Sequence, residues 1–176
     1  GCIGKPVPGH DVEVLDDAGA PTAGEGDVAI RKGSAAMMLG YWQRPDETAQ
    51  KFRGDWMLTG DRGVFDGEYL RFIGREDDVI TSAGYRIGPA EIEDCLLTHS
   101  AVATCGVVGK PDALRTEIVK AYVVLKPGAD AESVRADCNA KVGKTQRLSA
   151  ITVVDELPRS PIGKVLKREL RDAYAR

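Results

Sequence analysis

The chain has 176 residues, 43% hydrophobic, 29% charged and 6% aromatic, which leaves room for one ordinary domain or two small ones and excludes a peptide scaffold or a disordered tail. With 24 Lys+Arg against 27 Asp+Glu the net charge is −3, so no global field draws the chain to nucleic acid or anionic lipid, and any anion site is local. No apolar run reaches the ~18–20 residues of a membrane span and the first residues lack an apolar signal core, so the expected location is cytoplasmic.

In chain order, short strands come first. Val12, Val14 and Leu15 precede an Asp16-Asp17-Ala18-Gly19 turn, and Val28 and Ile30 precede Lys32-Gly33. Pro45 with Asp46 and Glu47 predicts a short helix continuing through Lys51 and Phe52, and Tyr69–Ile73 predicts a further strand. Strands without a covering layer leave edges open, so residues 1–73 read as an incomplete β-barrel subdomain. After a charged segment, 74–78, the pattern becomes mixed. Val79–Thr81 and Tyr85–Ile87 flank Ser82-Ala83-Gly84 as a hairpin, and a helix starts at Pro89 and closes at His99. Strands at 101–108 and 118–125 follow, then a helix capped by Asp130 with Val134, Cys138 and Val142 on one face, then a strand at 151–154. A final helix carries Leu166, Leu170, Ala173 and Tyr174 on one side. The fold class predicted is α+β: a partial β-barrel subdomain, then a small α+β domain over 79–176. Cysteines 2, 95, 105 and 138 form no CxxC pair and read as apolar fillers in a reduced compartment.

Three polar clusters can carry chemistry. Thr59-Gly60-Asp61 follows an apolar strand; one carboxylate can accept both hydroxyls of a ribose, although these three residues fit more readily a turn in which Asp61 caps its own backbone. Gly74-Arg75-Glu76-Asp77-Asp78 with Ser82-Ala83-Gly84-Tyr85-Arg86 is either a hinge with phosphate or sugar contacts or a solvated linker. Pro158-Arg159-Ser160-Pro161-Ile162-Gly163-Lys164 sets a lysine after a turn glycine, suited to meeting phosphate charge or to being an ordinary surface lysine.

Taken in order, these clusters resemble the C-terminal third of the adenylate-forming acyl-CoA synthetases, the superfamily that also holds luciferases and the adenylation domains of nonribosomal peptide synthetases. The resemblance runs from Gly4-Lys5-Pro6-Val7-Pro8-Gly9 through Gly40-Tyr41-Trp42, Trp56 and the three clusters, including Gly84-Tyr85-Arg86-Ile87-Gly88-Pro89-Ala90-Glu91-Ile92-Glu93, to Gly163-Lys164. Ser82–Ile87 is most similar to acetyl and medium-chain acyl-CoA synthetases. The resemblance implies an enzyme that joins a carboxylic acid to ATP with Mg2+, making an acyl-adenylate, and then passes the acyl group to coenzyme A. It implies nucleotide contacts from Asp61, Arg75 and Arg86, a catalytic role for Lys164 in adenylation, a hinge at Asp77, and a coenzyme A channel beside Gly84. It also implies a lysine acetyltransferase and deacetylase acting on Lys164.

The superfamily's Ser/Thr/Gly-rich phosphate loop and the aromatic-Gly-x-Thr-Glu stretch that helps hold magnesium have no counterpart in these residues, so the chain is expected to be a fragment, inactive alone, with an N-terminal part as partner and no metal ligands of its own. Where family members carry Lys-x-Pro-Arg, this chain reads Thr145-Gln146-Arg147-Leu148 and keeps only the arginine. Two other readings compete. One is a docking module that delivers the acyl group to a carrier protein. The other is a nucleic-acid-binding tail using Arg159, Lys164, Lys167, Arg168 and Arg171, which Glu169 and Asp172 make a solvated face instead, so no nucleic-acid partner is expected.

Overall fold

The computed structural model describes residues 2–173, which divide into two compact units, Gly1–Asp77 and Asp78–Arg176. Tyr174, expected on the last helix, lies outside the described residues.

The first unit is an open antiparallel sheet. Strands β1 (Cys2–Gly4), β2 (Val12–Leu15), β3 (Gly26–Arg31), β4 (Phe52–Arg53), β5 (Trp56–Asp66) and β6 (Tyr69–Arg75) take the order β1-β6-β5-β3-β2, with β4 beside β5. It is not a closed barrel, because β1 and β2 end the order without joining. Strand alternation sends neighbouring apolar residues to opposite faces. Val14, Val28 and Leu70 cluster on one face, and Leu15, Ala29 and Trp56 on the other. Helix α1 (Pro45–Gln50) begins at its proline but buries no residue, and it stops before Lys51 because Phe52 is drawn into β4 opposite Met57.

In the second unit β7 (Ile80–Ser82) and β8 (Tyr85–Ile87) form the expected hairpin, and α2 (Pro89–Leu97) follows, ending two residues before His99. Strands β9 (Val102–Asp112) and β10 (Thr116–Leu125) pair along their whole length and are longer than the sequence pattern predicts, since Pro111 and Asp112 pair with the polar Glu117 and Thr116 outside the apolar run. Helix α3 (Ala131–Lys141) is capped by the Asp130 carboxylate, which accepts the Ser133 N–H at 2.7 Å. Strand β11 (Ala150–Val153) joins β10 in parallel, and α4 (Lys167–Asp172) closes the described chain.

Period-two alternation along β9 and β10 makes two cores. Cys105, Val107, Val119, Ala121 and Val123 pack against Ile92, Leu96, Val134 and Cys138 of the two longer helices. On the other face Val108 and Tyr122 meet Leu157 and Leu170. Helix α4 comes this close because Gly106 has no side chain: a Cβ there would lie 2.8 Å from Leu170 Cδ1. Two ion pairs also tie α4 down, Lys167 Nζ to Glu93 at 3.0 Å and Arg171 Nη1 to Asp78 at 2.9 Å. No helix among the described residues is long and apolar enough to cross a membrane.

Candidate functional site

Thr59-Gly60-Asp61 is not a turn. It lies inside β5 as a bulge: Leu58 pairs with Ala29 and Arg62 with Asp27, so three residues of β5 face the single Val28. The Thr59 hydroxyl donates to the Val28 carbonyl at 2.8 Å and accepts the Asp61 N–H at 3.1 Å, which fixes the bulge. Gly60 sits at φ +84, where a Cβ would be 3.3 Å from Arg75 Nη2 and 3.4 Å from Lys51 Nζ. A side chain there would push apart two cations the bulge lets approach.

The same bulge sets Asp61 opposite Arg75 on β6. Arg75 Nε donates to Asp77 Oδ1 at 3.2 Å and lies 3.9 Å from Asp61 Oδ1. The structure therefore brings Asp61, Arg75 and Asp77 together. The segment after Arg75 is a 3-10 turn, Glu76–Asp78, rather than a solvated linker. Arg75 and Asp77 border a cleft of about 520 Å³ lined also by Asp27, Tyr41, Glu47, Lys51, Arg53 and Glu76. Below it Arg62 and Asp27, each 6% exposed, are paired at 3.1 Å, and Arg53 Nη1 reaches Asp27 at 3.5 Å. An arginine paired in this way keeps the cleft floor fixed. Sequence reasoning missed Arg62, Asp27, Lys51 and Arg53, because they come from three separate segments, around 27, 51–53 and 62.

In the second unit the hairpin loop is two residues, not three: Ser82 pairs with Tyr85, and Ala83 and Gly84 have φ of 49° and 82°. Successive positive φ values match the twist of a tight hairpin, and Ala83 is an uncommon residue for it. Its N–H donates to the Arg115 carbonyl at 2.9 Å, tying the loop to the start of β10. Gly84 faces open space, and Arg86 is exposed on β8. Beside the loop is a cleft of about 460 Å³ lined by Ser82, Ala83, Tyr85, Arg115, Lys144, Arg147 and Ser149, among others. Three cations from two segments, Arg115 before β10 and Lys144 with Arg147 around one short turn, line this cleft. Of these the sequence flagged only Arg147.

Lys164 is exposed, three residues ahead of α4, in a loop that folds back on itself: Ser160 N–H donates to the Lys164 carbonyl at 2.8 Å, and Leu166 N–H to the Pro158 carbonyl at 2.9 Å. The structure does not bring it to Gly84. The hairpin meets β10 at Thr116, whereas Arg159 anchors the lysine loop at Thr104, across from Val124. Those anchors are about 27 Å apart at the rise of a strand. Among the described residues no group of three His, Cys, Asp or Glu side chains could hold a metal ion.

The AMP-binding enzyme C-terminal domain family matches residues 91–164. Acyl-coenzyme A synthetase ACSM3 of mouse mitochondria is 39% identical over 97% of this chain and 32% of its own length. Acetyl-coenzyme A synthetase of Bacillus subtilis is 37% identical over the same shares. The structure of ATP-bound MatB from Rhodopseudomonas palustris superposes with a TM-score of 0.87 at 31% identity, over 99% of this chain and 36% of that one. The chain thus spans about a third of the length of the relatives it matches.

Proposed function

Because the chain belongs to the C-terminal part of the adenylate-forming acyl-CoA synthetases, we propose that it supplies part of the site at which a carboxylic acid attacks ATP to give an acyl-adenylate and pyrophosphate, after which the thiol of coenzyme A displaces AMP. The observation that carries this reading is the cross-strand pair Asp61–Arg75, whose arginine lines the first cleft. The Asp61 side chain is 36% exposed, so its two oxygens can accept the vicinal hydroxyls of a ribose while Arg75 holds the carboxylate in place. The ATP-bound state of MatB supports the nucleotide.

In this reading Lys164 meets the negative charge that gathers on the α-phosphorus, an electrostatic role of a few kcal/mol in comparable sites. Residues 74–78 act as the hinge between an incomplete N-terminal part, 1–73, and a mobile domain, 79–176, pivoting at Asp77. Gly84 keeps open the path of the thiol arm, and Arg86 contacts the nucleotide. Arg115, Lys144 and Arg147 beside the hairpin suit the phosphates of coenzyme A, and Arg147 is the residue retained from the family's basic segment. An exposed Lys164 is also open to acetylation, which would remove its charge. The matched relatives are acyl-CoA synthetases, which leaves a carrier-protein acceptor without support. The mouse relative is mitochondrial, so a cytoplasmic location is a matter for fractionation.

The test is a comparison of half-reactions in the complete enzyme. Lys164→Ala should slow pyrophosphate release by about 10²–10³-fold and leave thioester formation from supplied acyl-adenylate intact. Gly84→Leu should do the reverse. Equal loss of both activities in both variants would defeat the two roles.

A further inference from the structure

Among the described residues the Lys164 ammonium has no ion-pair or hydrogen-bond partner, but the backbone that carries it is held on both sides. The peptide link before it has its carbonyl, that of Gly163, accepting from Arg159 Nη1 at 2.7 Å, and its N–H, that of Lys164, donating to Ser160 Oγ at 3.2 Å. The link after it has the Lys164 carbonyl accepting the Ser160 N–H at 2.8 Å. With both flanking peptide planes fixed, the direction of the Cα–Cβ bond is fixed too, and only the side-chain torsions remain free. Ser160 belongs to the same short loop, so its bonds give the loop shape and not location. Location comes from Arg159, whose other terminal nitrogen, Nη2, donates to Thr104 Oγ1 at 2.7 Å. Thr104 stands on β9, paired with Val124 in the long two-stranded ladder, which is among the most extensively paired parts of the second unit.

We propose that Arg159 is a positioning residue for Lys164: its planar fork ties the carbonyl next to the lysine to the rigid β9 strand. This rests on the adenylation role proposed for Lys164 and assigns it a support that the family resemblance does not. Arginine suits the task because its two terminal nitrogens span two acceptors in one plane, whereas a lysine presents one point of charge. Misplacement of a reacting group by an ångström can cost up to ~10²-fold in rate, so the loss of a tether that leaves the loop folded is set lower, at about tenfold.

The experiment has two arms. In the complete enzyme Arg159→Met should lower the turnover of adenylation about tenfold, with the KM for ATP and the rate of thioester formation from supplied acyl-adenylate each within about twofold. Arg159→Lys should restore little of it. In the 176-residue chain the Gly163 and Lys164 amides should exchange with solvent faster in Arg159→Met and in the near-isosteric Thr104→Val, while amides of β10 stay protected. The proposal is overturned if Arg159→Met leaves adenylation unchanged where Lys164→Ala slows it, or if both half-reactions fall together with the melting temperature, which marks a merely structural residue. If Lys164→Ala itself leaves adenylation intact, the reading of Lys164 has failed, and unchanged exchange at Gly163 and Lys164 would then reject the tether independently.

Discussion

The two units bury their apolar residues in different ways. The second has one cluster running from Ile80 through Leu148 and a smaller one under α4, so both faces of the β9–β10 ladder are covered. The first divides its buried residues between two small patches on opposite faces, and places a buried Arg62–Asp27 pair at the floor of its cleft. Ion pairs of this kind contribute little net stability, because desolvating both charges offsets their attraction. What they contribute is a fixed charge arrangement. The second unit is thus built as a domain, and the first as a charged surface whose shape depends on a few polar contacts.

The sharpest test of that contrast is Leu96→Ala. Leu96 is fully buried in the apolar cluster between α2 and the sheet, so a loss of about 2–5 kcal/mol is expected for the second unit. Denaturant titration followed by a probe in each unit, with Trp56 reporting the first, should move one transition alone. If the Trp56 signal shifts equally, the two units do not unfold separately and the contrast fails.

The first unit should respond to charge. Asp27→Ala leaves Arg62 buried with only Asp17 and Glu76, each at 3.9 Å, and should cost that unit about 3 kcal/mol, the low end for breaking a buried pair. Replacing both residues, Asp27→Leu with Arg62→Met, should recover much of the stability. A single Asp27→Ala without effect on the Trp56 transition would show that the pair does not organise the floor.

The same division explains what could be read without coordinates. Periodicity exposed the hairpin, both longer helices and the ladder, since each follows from apolar spacing and a local signal such as Pro89 or Asp130. The bulge was hidden because a glycine behind an apolar strand looks like a turn, and only the pairing of β5 with β3 keeps Thr59-Gly60-Asp61 in the sheet. Motif order pointed to Asp61, Arg75, Asp77, Gly84, Arg86 and Lys164. The supporting residues escaped notice for a different reason. Asp27 and Arg62, or Arg115 and Lys144, are far apart in sequence and meet only through tertiary structure, which no local pattern encodes.

The smallest expected effect is an alkaline one, confined to the second unit. Burial pushes the Cys105 thiol up to about 12, with Glu93 adding to it, and burial followed by a hydrogen bond with Cys95 does the same for Cys138. Burial also raises the Tyr122 hydroxyl to about 12. All three groups are therefore held neutral by the fold more firmly than by the unfolded chain, in which thiols release their proton near pH 9 and tyrosine near pH 10. The unfolded state thus loses protons first as pH rises, and stability falls with it. The contribution is complete below about pH 9 and declines through pH 12. Melting temperatures between pH 7 and 11 should be flat to about pH 9 and then fall gradually for the second unit. Cys105→Ala and Cys138→Ala should each make that fall shallower while lowering the plateau, because the small cavity left behind carries its own cost. Unchanged slopes in both variants would mean that the buried thiols do not couple to folding. A slope of equal size in the first unit, where the single cysteine, Cys2, is exposed, would place the alkaline effect elsewhere than in the buried core.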